Sequence, residues 1–291
     1  MSDWMSIRAK RSPTAVEILE AVATPELRSG SFPEGLPSDF WPTGVVHYYR
    51  AGHSARGVEL TLEPDLARVQ MLCLSNPEDW ELGFRLLRAL AADPAAQVEG
   101  QDGTVSSLSD MRERFLEVLH RRNARDFESI RKQVLDHPHP DALASMNGPI
   151  REVFIGRRCF AELSTETTEA VPALIERIRR IQYIESEGFD VPQPKELAAV
   201  PGVMATPWEM GKAQAFVATD YVALEQPWRR ITVCVPVREM PSLAGSRFQW
   251  LDERQFILQP IPESERAALH EQAASKVAIH HRRKRWWQFW K

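Results

Sequence analysis

An α+β fold, two antiparallel-sheet units each covered by helices, is the class this sequence predicts, on three observations. Short β-like runs cluster twice, within 44–75 and again within 214–261, and each cluster is followed by a segment with helical apolar spacing. The runs inside a cluster lie only a few residues apart, which suits hairpins, whereas a parallel crossover needs roughly a dozen residues or more. The chain has 291 residues, enough for two domains at ~150 residues each.

Composition narrows the class without naming a function. With 43% apolar, 26% charged and 9% aromatic residues, the chain falls near the globular average, which excludes collagen-like, low-complexity and wholly disordered classes. The longest stretch without a charge, 197–208, is interrupted by Pro201, Gly202 and Pro207, while a spanning helix needs ~20 apolar residues. The start, MSDWMSIRAKRSP, carries charges with no long apolar run behind them, so export by a signal peptide is not expected. Cys73, Cys159 and Cys234 are odd in number and lie in or beside apolar runs, as buried thiols in a reducing cytoplasm do.

Each element of the first half has a local reason. In 12–23, Ser12 is placed as an N-cap and Pro13 at the first helical position, ahead of Val16, Leu19, Val22 and Ala23. The runs 44–50, 57–64 and 68–75 are short, rich in β-branched or aromatic residues and separated by Gly or Asp turns, as in a meander. In SNPEDWELGF, Ser75 and Glu78 have capping-box spacing, and Trp80, Phe84, Leu87 and Ala91 share one helix face. A turn at EGQDGT precedes 107–135, which is helical in spacing throughout. The prolines of DHPHPDA cannot continue that helix, and a domain boundary is placed at 136–147. The domains read as 1–140, 147–280 and a tail, 281–291.

In the second half, 148–163 reads as a strand pair about Gly156. Val171, Leu174, Ile175, Ile178, Ile181 and Ile184 form one helical stripe, ending near Gly188 and expected to cover a sheet. Four prolines make 190–210 a long irregular segment, of the kind that is often functional or mobile. Strands are expected at 214–224, 229–239, 247–251 and 254–261, with Asp252 and Glu253 in a turn, and a helix from 263 to 278.

No catalytic, metal or cofactor motif emerges. His137 and His139 have the spacing of two ligands, but a structural site wants about four, so a solvated turn explains them better. His47 alternates with apolar neighbours and is placed toward solvent or an adjacent strand. Gly202 to Lys212 lacks phosphate-loop spacing. The acidic cluster Glu78, Asp79 and Glu81 is explained by a helix start.

The charge distribution singles out the C-terminus. The chain has 36 basic and 40 acidic residues, and six of the basic ones fall within 276–291, where there is no acidic residue, leaving a +6 end on a −10 body. Arg282, Arg283, Lys284 and Arg285 precede Trp286, Trp287, Phe289 and Trp290. Cations followed by tryptophans suit an anionic partner or membrane interface; on a helix, Trp286, Phe289 and Trp290 would share a face. The competing reading docks these aromatics on the protein's own body. The expected function is a non-enzymatic bacterial interaction or accessory protein, of immunity type, docking through this tail on a protein partner or anionic membrane surface. No cofactor is called for, and the expected site is the cytoplasm, up to its membrane face. A motif-less enzyme is the alternative, and a nucleic-acid-associated protein comes third.

Overall fold

The computed structural model describes residues 3–8, 18, 20, 22, 26–29, 44–63, 66–91, 97–101, 103–196, 201–217, 219–226, 231–275 and 279–282. The chain divides into two compact units, Met1–Tyr183 and Ile184–Lys291, and the α+β class with antiparallel sheets and helices holds in both.

The strands of the first unit are β1 (Asp3–Arg8), β2 (Leu27–Ser29), β3 (Gly44–Arg50), β4 (Val58–Glu63), β5 (Leu66–Met71), β6 (Gln97–Gly100) and β7 (Val105–Ser107). They form one seven-stranded sheet in the order β2-β3-β4-β5-β1-β6-β7, antiparallel throughout. The expected three-strand meander is its centre. The N-terminal strand inserts between β5 and β6, with Met5 opposite both Val69 and Gly100.

Alternation in β4 and β5 buries Val58, Leu60, Leu62, Ala67, Val69 and Met71. Against that face lies α1 (Pro77–Leu90), burying Trp80, Phe84, Leu86 and Leu87. Gly83 allows the close approach, since a Cβ there would run into the Met71 side chain. Of the helix expected over 12–23, residues 18, 20 and 22 are described and helical, with Ile18 and Val22 in this core.

The start of α1 corrects one expectation. Its N-cap is Asn76, not Ser75, and the capping box runs between Asn76 and Asp79. The Ser75 hydroxyl instead donates to the Leu72 carbonyl at 2.6 Å.

The long helix α2 (Leu108–Leu135) is continuous, as its spacing predicts, with Ser107 as N-cap. It is followed by β8 (Leu143–Asn147), β9 (Glu152–Gly156), α3 (Arg157–Glu162) and α4 (Thr167–Gln182). Here the turn of the strand pair is at 148–151 and 157–162 is helix, contrary to the pairing expected about Gly156. The cause lies some thirty residues away in sequence: the Gln182 side chain accepts the amides of Ile150 and Arg151 at 2.9 and 2.8 Å and donates to the Arg151 carbonyl at 3.1 Å.

The boundary expected at 136–147 therefore falls inside the first unit. The β8-β9 hairpin, α3 and α4 all pack against α2, so the apolar stripe of α4 covers helix, not the sheet expected from sequence.

In the second unit, β10 (Lys195–Glu196), β11 (Met204–Pro207), β12 (Gln214–Phe216), β13 (Tyr221–Gln226), β14 (Ile231–Pro236), β15 (Phe248–Trp250), β16 (Phe256–Leu258) and β17 (Ile279–Arg282) form two sheets, ordered β10-β11-β13-β14-β17 and β12-β16-β15. The pairs are antiparallel except β11 with β13, which is parallel. The helices are α5 (Met240–Ala244) and α6 (Glu263–Ser275).

The run 214–224, expected as one strand, is two, one in each sheet. Thr219 and Asp220 turn the chain between them: the Asp220 carboxylate accepts the Met204 amide at 2.9 Å, and the Thr219 hydroxyl donates to the Tyr221 carbonyl at 2.8 Å. Part of the segment expected to be irregular is strand β11. The core is aromatic, with Phe216 and Phe256 stacked at 4.9 Å and Trp250 edge-on to Phe256. Asp252 makes the expected turn, its carboxylate accepting the amides of Arg254 and Gln255.

Candidate functional site

Two places in the first unit gather chemistry. The first is a cavity of about 410 Å³ where the end of the sheet meets α1 and α2, a size within the ~300–1000 Å³ of small-molecule sites. Strand β1 contributes Trp4 and Met5, and α1 contributes Trp80 and Phe84, which fall one turn apart on one face because they are four residues apart. The β6-β7 turn supplies Gln101 and Thr104, β7 supplies Ser106, and α2 supplies Asp110, Met111, Arg114 and Val118.

The walls are held from behind. The Arg68 guanidinium lies 4.7 Å from the Trp4 ring centroid, and that of Arg122 lies 5.8 Å from the Trp80 ring. Arg122 itself is buried, donates to the Met71 carbonyl at 2.7 Å and faces Asp126 at 3.5 Å. Trp80 and Phe84 meet in a tilted pair at 6.2 Å. Among the described residues that line the cavity, Asp110 and Arg114 are the ionisable ones, with no histidine, cysteine, lysine or tyrosine. Ser106 and Thr104 are the hydroxyls, and a hydroxyl nucleophile needs an activating base beside it.

The second place is the carboxylate of Asp79, fully buried beneath the β3-β4 loop. It accepts the backbone amides of Gly57 at 2.8 Å, Arg56 at 3.0 Å and Asn76 at 3.1 Å, and it hydrogen-bonds the Ser54 side chain. Burial raises its pKa to about 6 against the pull of those bonds. Around it the same loop is tied repeatedly. Arg50 pairs with Glu78, the Asn76 side-chain Nδ2 donates to the His53 carbonyl at 2.7 Å, and the Tyr183 hydroxyl donates to the Arg50 carbonyl at 3.1 Å.

His47, placed toward solvent or a neighbouring strand from sequence, is buried under this loop. Its Nε2–H donates to the Arg56 carbonyl at 2.6 Å, and burial lowers its pKa. Gly57, at φ +70°, passes so close to the Tyr48 carbonyl that a Cβ has no room. A carboxylate with a perturbed pKa is where an active site is usually sought. Here its oxygens are consumed by amides of the fold and it has no access to solvent, so Asp79 is a structural hub.

The neighbouring turn is built alike. Leu74 takes φ 55°, a conformation that costs a non-glycine residue about 1–2 kcal/mol. It is held there by side chains on the surrounding carbonyls: Arg56 on Cys73, Asn123 on Ser75 and Arg122 on Met71.

The residues singled out from sequence lie elsewhere. Arg282 ends β17, its backbone opposite Ile231 in a strand, not a helix. Arg283, Lys284, Arg285, Trp286, Trp287, Phe289 and Trp290 lie outside the described residues. His137 and His139 are exposed, and their ring Nδ1 atoms accept the amides of His139 and Asp141, as turn residues do. Among the described residues there is no group of three potential metal ligands and no helix long and apolar enough to cross a membrane. Cys159 and Cys234 are buried, Cys73 is half-buried and none of the three is in a disulfide; burial pushes the Cys234 thiol up to about 11.

Sequence reading missed the cavity because its lining comes from four separated stretches with no motif in any of them. The signal that was present is the N-terminal alternation, with Met5 and Ile7 apolar in Asp3–Arg8.

Residues 6–186 match the family described as a domain of unknown function, DUF4299. The match covers more than half of the chain, which therefore belongs to that family, and its extent follows the first compact unit, Met1–Tyr183. No curated protein and no solved structure matches the chain.

Proposed function

We propose that this DUF4299 member is a non-enzymatic interaction or accessory protein that acts by binding, with the cavity of its first unit as the recognition site. The observation that carries this reading is the lining: two tryptophans, a phenylalanine and two methionines behind a polar rim, which is the make-up of a ligand pocket, apolar with few polar groups. Among the described residues at the rim the ionisable groups are one carboxylate and one guanidinium, fewer than an acid, a base and a nucleophile together require.

The test is a titration of the full chain with indole as a neutral apolar probe, followed by calorimetry and saturation-transfer NMR. Saturable binding is expected, and it should be lost in Val118→Trp, which puts bulk at the exposed edge of the cavity. Absence of any saturable binding, or binding untouched by that substitution, would refute the reading.

The basic aromatic end is proposed as a second contact. Arg282 through Trp290 combine cations with tryptophans on an acidic body, which supports docking on an anionic surface, either a partner protein or the cytoplasmic face of a bacterial membrane.

A further inference from the structure

We propose, resting on the binding reading above, that the cavity takes a small aromatic carboxylate, its ring between the aromatic walls and its acid group on Arg114. Three features of the site select this chemistry. The first is the walls. Trp4, Trp80 and Phe84 with the thioethers of Met5 and Met111 offer the edge and sulfur contacts that favour a flat ring over a flexible chain.

The second is the sign of the charge behind those walls. Each tryptophan already carries a guanidinium near its ring, Arg68 at 4.7 Å and Arg122 at 5.8 Å. A cation stacked on the cavity side of either ring would have a guanidinium close behind that ring, so a ligand ammonium would meet like charge. This separates the site from an aromatic cage for quaternary amines.

The third is the mouth. Among the described residues Arg114 has no hydrogen-bond or ion-pair partner, although Asp110 stands one turn before it on α2. Asp110 occupies the third position of that helix, its amide donating to the Ser107 cap at 3.1 Å, where the helix end itself favours a carboxylate. Among the described residues at the rim, the helix end thus supports Asp110, and the Arg114 guanidinium is the cation placed to meet a ligand. A guanidinium presents a planar fork that matches a carboxylate with two parallel bonds.

The experiment uses the full chain and three probes of one shape: indoleacetate, indole and tryptamine. Calorimetry should rank indoleacetate about tenfold tighter than indole, the worth of one charge-assisted contact, with tryptamine weakest. Arg114→Gln, at an exposed position, should bring indoleacetate down to the level of indole while indole binding and the melting temperature stay as they were. Equal affinity for indoleacetate and indole, a preference for tryptamine, or an acid preference that survives Arg114→Gln overturns the carboxylate assignment and leaves the apolar pocket standing. Failure of all three probes overturns the pocket reading as well.

Discussion

Substituting Asp79 by Asn should remove a pH dependence of stability that this one residue imposes. The carboxyl is raised from an ordinary 3.8 to about 6 in the folded protein, burial outweighing the four hydrogen bonds that favour its charge. The native state thus binds the proton more tightly than the unfolded chain. The resulting stabilisation is fully present below the unfolded value and is lost as pH rises through the folded one. A difference of about two pKa units at 1.36 kcal/mol each is about 3 kcal/mol, lost between roughly pH 3 and pH 7.

Other carboxylates contribute slopes of their own, so the informative quantity is the difference between the parent and Asp79→Asn. The amide keeps one acceptor oxygen and turns its NH₂ toward the amides of Arg56 and Asn76 or of Gly57. The variant therefore loses hydrogen bonds at every pH, and it should be destabilised by about 3 kcal/mol more at acid than at neutral pH. Urea denaturation across that range, read by tryptophan fluorescence and circular dichroism, measures both curves. If they run parallel, Asp79 titrates no differently folded and unfolded, and the hydrogen bonds cancel the burial. If the gap widens toward neutral pH, the charge is favoured in the fold and the sign of the reasoning is wrong.

Gln182→Ala strips the partner from the amides of Ile150 and Arg151 and should cost about 2–4 kcal/mol; a loss below about 1 kcal/mol in urea unfolding would contradict the clamp. Asn76→Ala should cost about 1 kcal/mol and speed exchange of the Asp79 amide, which Ser75→Ala should leave protected, since the Asp79 amide donates to Asn76 Oδ1 at 2.9 Å; hydrogen exchange by NMR separates the two. Removal of residues 283–291 should abolish salt-sensitive binding to anionic vesicles with no change in melting temperature. Unchanged vesicle binding rules out the anchor, and a clear fall in melting temperature favours docking of the tail on the protein itself.

Period alone determined much of the fold class. Strands β3, β4 and β5 and helices α1, α2 and α4 are written in alternation of two or in spacing of three to four, which are properties of neighbours in the chain. Their burial follows the same stripes, as Val171, Leu174, Ile178 and Ile181 illustrate. What the stripe could not say was which surface it meets, and α4 meets a helix where a sheet was expected. Insertion of β1 between β5 and β6 joins residues about sixty positions apart or more, and the break of 214–224 into two strands depends on Asp220 reaching the Met204 amide.

The sites divide in the same way. The basic tail was legible because charge and tryptophan content are composition, independent of any partner in space. Asp79 looked like one more acidic residue at a helix start, and only the folded β3-β4 loop brings two of its three amides to the carboxylate. The cavity is the extreme case: its walls come from positions 4–5, 80–84, 100–106 and 110–118. A cleft is a property of how elements fail to fill the volume between them, and no single segment carries that information.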